Sequence, residues 1–277
     1  MSLDSFSRFL LSATIAFVWA SAANAETSAW LLVDDFERSN LGVWEKRDTK
    51  NNTSPYVENP QVTEIRKEES GNRYLIKKPA ADGVVGNRKA LSFVKLPAPV
   101  PVGDTYTFFT RVNVEYFPNN HVFGLSNLDP SGITEHDYNA FEPSLRITDK
   151  RESSGLKNDG TLMVKLGKGY AKIENKALKQ SAKPLTPGLW YDVWYVVNNA
   201  KLDQGGQTYD VYVRGGEFEE QALVYQGADF RMKRELPLIY FLSNCNTGPS
   251  DHPYGNGGVL YDDIYMSKGV RLTTPSQ

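Results

Sequence analysis

Short runs of Val, Tyr, Phe, Trp and Thr recur along the chain between clusters of Gly, Asn, Asp and Pro, and hardly any segment sustains helical periodicity for three turns. That pattern belongs to short antiparallel strands joined by turns. It predicts strands at Leu31–Phe36, Tyr74–Lys77, Ala90–Lys95, Tyr106–Val114, His121–Asn127, Ser144–Thr148, Thr161–Leu166, Tyr191–Asn198, Thr208–Arg214, Leu236–Ser243 and Val259–Met266. Turn residues that tolerate positive φ support the breaks, among them Lys157-Asn158-Asp159-Gly160, Arg214-Gly215-Gly216 and Gly255-Asn256-Gly257-Gly258. The fold class is therefore all-β, a two-sheet antiparallel β-sandwich of the jelly-roll kind. Three long polar stretches interrupt it, Asp48–Val62, Asp129–Glu142 and Cys245–Gly258, and long loops in a compact fold tend to carry function.

The chain opens with a short start carrying Arg8, an apolar run from Phe9 to Ala20, and a small-residue cleavage pattern at Ala23-Asn24-Ala25. This predicts a bacterial-type export signal spanning residues 1–25, with residues 26–277 as one soluble domain acting in the periplasm or outside the cell. The apolar run is too short to span a bilayer, so no membrane insertion is expected once the signal is cut. The formal net charge of −2 argues against nucleic acid as a partner. Cys245 is the only cysteine, so an exported domain must be held by its core rather than by disulfides. One Cys and three scattered His rule out the usual zinc spacings. Nothing in the sequence asks for a second subunit, and a monomer is expected.

Three segments carry a recognisable pattern: Val33-Asp34-Asp35-Phe36-Glu37 followed by Trp44, Gly188-Leu189-Trp190-Tyr191-Asp192-Val193-Trp194, and Tyr261-Asp262-Asp263-Ile264-Tyr265. Together they resemble the concanavalin A-like lectin/glucanase superfamily of jelly rolls. The resemblance implies that the first and last strands lie side by side and that the partner is a polysaccharide or oligosaccharide. Neither the E-x-D-x-x-E strand of the retaining glucanases nor the R-x-E-x-R and Q-x-H strands of the alginate-lyase jelly rolls occurs here.

Strand alternation sorts candidate residues by face. On Tyr106–Val114, Phe109, Arg111 and Asn113 lie opposite Phe108, Val112 and Val114, and on Ser144–Thr148, Arg146 lies opposite Leu145 and Ile147. If these polar faces share the concave sheet, Arg111, His121, Asn127 and Arg146 gather in one groove. Such a set suits β-elimination on a uronate polymer, with Arg or Asn neutralising the carboxylate, His121 removing the C5 proton and Tyr254 protonating the departing oxygen. Phe109, His136, Tyr138, Glu142 and His252 are further candidates for holding substrate. No cofactor is required. Structural calcium is a candidate at Asp35 and Asp263, two carboxylates expected on adjacent strands. The reading is a polysaccharide lyase, with a non-catalytic lectin-like protein or a structural envelope protein as the alternatives.

Overall fold

The computed structural model describes residues 29–152, 155 and 157–276, and the expected export signal lies outside them. In chain order the elements are β1 (Leu31–Asp34), β2 (Glu45–Asp48), β3 (Val62–Lys67), β4 (Arg73–Lys78), β5 (Ala90–Val100), β6 (Thr105–Val114), β7 (Asn120–Ser126), α1 (Pro130–His136) and β8 (Phe141–Thr148). There follow β9 (Leu162–Leu166), β10 (Gly169–Lys172), β11 (Glu174–Asn175), β12 (Gln180–Ser181), β13 (Trp190–Asn198), β14 (Thr208–Gly215), β15 (Phe218–Asp229), β16 (Leu238–Cys245) and β17 (Val259–Lys268). All eleven strands read from the sequence are present. The omissions, such as β3 and β10, are short or rich in charge, and β15 carries too little alternation to stand out.

Two large sheets face each other. The first runs β15-β14-β13-β6-β17-β4-β3, with β1 also paired to β17, and the second runs β10-β9-β8-β7-β16-β5-β2. Every pairing is antiparallel. The first and last strands do lie side by side, Leu32 opposite Tyr265. The molecule is an all-β sandwich.

Alternation places Phe108, Val112 and Val114 of β6 in the space between the sheets, against Phe123 and Leu125 of β7 and Leu145 and Ile147 of β8. Tyr209 ties the layers together, its hydroxyl donating to Ser144 O at 2.5 Å and accepting from Lys165 N at 2.9 Å. The Lys77 side chain is fully buried in this interior. The Lys77 ammonium donates to Gln61 Oε1 at 2.5 Å, Ser92 Oγ at 2.7 Å and Thr63 Oγ1 at 3.1 Å, so its three donors are matched by neutral oxygens.

A second, smaller core lies on the outer face of the second sheet. Asp129 caps α1 by accepting from Gly132 N at 2.8 Å, Pro130 opens the helix, and Ile133 drops onto Leu91, Phe93, Val122, Phe141 and Leu242. The loop expected over Asp129–Glu142 is thus a short helix and a 3-10 turn, Asp137–Ala140, fixed to the sheet by apolar contact. Beside it Gly124 allows β7 to meet β8 closely. A Cβ there would stand 2.1 Å from Pro143 O and 2.9 Å from Ser144 Cα. Gly124→Ala is therefore expected to pry β7 from β8 and destabilise the fold by about 2–3 kcal/mol, measured by urea unfolding.

Candidate functional site

The outer face of the second sheet carries a groove of about 530 Å³. Its floor comes from side chains that alternation turns away from the core: Asn120 and Val122 of β7, Arg146 of β8, Met163 of β9 and Asn244 of β16. Tyr170 enters from β10. It is brought there by a two-residue hairpin turn, Gly167-Lys168, where Gly167 takes φ 50° and Leu166 pairs with Gly169. Tyr138 comes down from the 3-10 turn, Arg231 from the loop after β15, and Tyr254 from the long loop between β16 and β17.

The groove is strongly cationic in a chain whose net charge is −2. Arg88, Lys89, Arg146, Lys150, Lys168 and Arg231 line it, against one lining carboxylate, Glu152. Glu152 fixes two of these cations, lying 2.8 Å from Arg146 Nη1 and 3.1 Å from Lys150 Nζ. Arg146 also donates to Asn120 Oδ1 at 3.1 Å. At the centre the Tyr138 and Tyr170 hydroxyls share a hydrogen bond of 2.5 Å. Cations stand over both rings, Arg231 at 4.2 Å and Lys89 at 5.1 Å from Tyr138, Arg146 at 5.0 Å and Lys165 at 5.5 Å from Tyr170. Burial raises the Tyr138 pKa well above its ordinary value, so its phenol keeps its proton at neutral pH.

The structure divides the residues singled out in the sequence. Arg146, Tyr138 and Tyr254 line the groove, and Lys150 lies 4.8 Å from the Tyr254 ring centroid. His121 also lines the groove, but its imidazole is not exposed there as a base would be. Its strand face is that of Phe123 and Leu125, so the imidazole is sealed beneath the groove floor, 1% exposed. Nε2 lies 2.9 Å from Gly257 O, an acceptor only, so Nε2 carries the proton and Nδ1 is bare. Burial pushes the His121 pKa down to about 3.

Arg111 and Phe109 lie on the other sheet altogether, because β6 pairs with β13 and β17 while β7 pairs with β8 and β16. Phe109 is packed against Trp194 and Trp30. Arg111 stands 3.3 Å from Asp262, 3.4 Å from Asp263 and 3.5 Å from Asp192, over the Trp190 ring. Asn127 and Glu142 are buried together beyond the groove's edge, Asn127 Nδ2 donating to Glu142 Oε1 at 3.0 Å. His136 and His252 are exposed and stand outside the groove.

Of the two carboxylates expected to hold calcium, Asp263 lies 3.4 Å from the Arg111 guanidinium and Asp35 accepts from Glu37 N at 3.2 Å. Among the described residues no group of three or more His, Cys, Asp or Glu is arranged to hold a metal ion. Nor, among those residues, is any helix long and apolar enough to cross a membrane.

No protein-family model matches the chain, and no curated protein matches it. Solved structures of similar shape exist. An alginate lyase from Aplysia kurodai is 14% identical over 75% of this chain and 87% of its own, with a TM-score of 0.46. A β-glucanase catalytic domain from Podospora anserina is 10% identical over 76% and 81%, with a TM-score of 0.47. A lectin from Bauhinia forficata is 8% identical over 88% and 99%, with a TM-score of 0.43. All three are jelly-roll domains. The fold here is a two-sheet antiparallel β-sandwich. A fold does not name a function, so the function has to be argued from the groove itself.

Sequence reasoning missed Lys89, Lys150, Lys168, Tyr170 and Arg231, all of which the groove gathers. Only the Gly167-Lys168-Gly169-Tyr170 run carried a legible signal, a tight turn delivering a cation and a phenol together.

Proposed function

We propose that this protein is an exported polysaccharide lyase that binds an acidic, uronate-containing glycan in the cationic groove and cleaves it by β-elimination. One observation carries the reading: a hydrogen-bonded tyrosine pair at the centre of a groove lined by six cations, in a chain of net negative charge. Arg146 and Arg231 suit the uronate carboxylate, whose neutralisation acidifies the C5 proton and stabilises charge that builds there in the transition state. Tyr170 then accepts the C5 proton as its own hydroxyl proton passes to Tyr138, and Tyr138 gives its proton to the departing O4. The C4–O bond breaks, a C4–C5 double bond forms, and the pair ends with the protons it began with. Arg146 is well suited to hold its place, since Glu152 and Asn120 fix the guanidinium. No metal or cofactor enters the scheme.

The test is incubation with alginate, polygalacturonate, glucuronan and hyaluronan, followed through the ultraviolet absorbance of the conjugated unsaturated uronate. At least one polymer should yield product. Tyr170→Phe should lower kcat by about 10²-fold or more while leaving glycan affinity largely intact. Lys168→Glu, at an exposed position, should weaken binding, and salt should weaken it further. Binding without unsaturated product would make the groove that of a lectin-like protein, and no binding to any of the four would overturn the reading.

A further inference from the structure

We propose that Asp137 is a positioning residue that latches the helical lid to the groove floor, keeping the Lys89 ammonium and the Tyr138 hydroxyl in working order. The inference rests on the groove reading above and deepens it. Asp137 ends α1 and begins the 3-10 turn that carries Tyr138. Its backbone sits at φ 57° and ψ −118°, a conformation that residues with a Cβ rarely adopt. A chain that only needed to turn there would use glycine.

What an aspartate adds is its carboxylate. Oδ2 lies 3.3 Å from Lys89 Nζ, just before β5, and Oδ1 accepts from Asn244 Nδ2 on β16 at 3.4 Å. The strained residue thus joins the lid to two neighbouring strands of the floor, and the residue after it is the phenol at the groove's centre. Strain retained at such a junction is the mark of a position kept for what it holds.

The latch also has an electrostatic side. Lys89 is half-buried, with Asp137 and Tyr138 above it, Arg231 beside it and Lys50 behind. Burial lowers its pKa, the charge and hydrogen bond of Asp137 raise it, and Arg231 and Lys50 lower it again. With Asp137 neutralised, only lowering influences remain, and Lys89 should lose its proton at lower pH.

The experiment uses the full chain with Asp137→Asn and Asp137→Gly, and reads three quantities. The first is the pH dependence of Lys89 acetylation by acetic anhydride, followed by mass spectrometry, which needs no glycan. In Asp137→Asn, Lys89 should become reactive at lower pH than in the parent chain. The second is the thermal midpoint, which Asp137→Gly should leave unchanged or raise, because the strain is relieved. The third is turnover of the best polymer of the panel, which Asp137→Gly should lower by about tenfold or more despite the intact fold.

A merely structural Asp137 would give lower midpoints in both variants with Lys89 reactivity unmoved, and that result overturns the proposal. Full turnover in Asp137→Gly overturns it as well. If the parent chain turns over none of the polymers, the lyase reading falls, and the Lys89 labelling still decides whether Asp137 is the latch.

Discussion

Glu142→Ala should destabilise the protein by about 3–5 kcal/mol and loosen the loop that carries Arg231. Glu142 is 1% exposed and spends both carboxylate oxygens on one loop. Oε2 accepts from Met232 N at 3.1 Å and Lys233 N at 2.7 Å, while Oε1 lies 2.9 Å from Arg234 Nη1 and accepts from Asn127 Nδ2. Lys233 and Glu235 take positive φ in the same loop, which tightens it around the carboxylate. Removing the carboxylate leaves a partly buried guanidinium, a buried amide and several backbone N–H groups without their acceptor.

Arg231, in the same loop, would then keep only its bonds to Asn139 Oδ1 and to the residue 142 carbonyl. Urea unfolding gives the stability change, and hydrogen exchange at residues 232–234 reports the loop. Glu142→Gln, which keeps the shape and one acceptor, should lose less. A change below about 1 kcal/mol in the alanine variant would show that the loop does not depend on this anchor.

Stability should also climb with pH in two separate windows, one set by His121 and one by Lys77. Burial lowers the His121 pKa from 6.5 to about 3, with the Gly257 hydrogen bond opposing and the Lys77 and Lys78 charges assisting. Above pH 6.5 both folded and unfolded chains carry a neutral imidazole. Below it the unfolded chain takes up a proton that the folded chain refuses, so stability falls toward pH 3 by about 4–5 kcal/mol.

Burial likewise lowers the Lys77 pKa from 10.5 to about 8. Below pH 8 both states hold the proton and the penalty for a buried ammonium is present in full. Between 8 and 10.5 the folded chain has lost the proton and the unfolded chain has not, so stability rises by about 3 kcal/mol. Urea midpoints across the pH range measure both limbs. His121→Leu should flatten the acid limb and Lys77→Met the alkaline one. An acid limb that survives in His121→Leu would assign it to carboxylates instead.

How much of the molecule was legible in the chain varies by level. Strand positions were readable because side-chain burial on a pleated strand has period two, and the run Thr208–Gly215 shows it plainly. The faces of β6 and β8 were also readable, with Phe108, Val112, Leu145 and Ile147 inward. The face of His121 was not. A histidine reads as polar by type, yet its neighbours Phe123 and Leu125 take it into the core, where Gly257 O accepts from Nε2.

The expected meeting of Arg111 with Arg146 failed for a different reason. Consecutive strands β6 and β7 belong to opposite sheets, so two faces that each point away from the core point in opposite directions. Asp263 shows the same effect in charge, since the pairing of β17 with β6 brings it to the Arg111 guanidinium.

By itself the sequence determined the all-β class, the strand positions, and the inward and outward face of several strands. Those follow from local periodicity and turn chemistry, which act over a few residues. Only the tertiary structure decided which outward faces share a sheet, and therefore that Lys89, Tyr138, Arg146, Tyr170 and Arg231 form one groove while Arg111 stands on the far side. The physical reason is that strand order and sheet membership are set by contacts between residues far apart in the chain, and periodicity carries no record of which distant strand a face will lie beside.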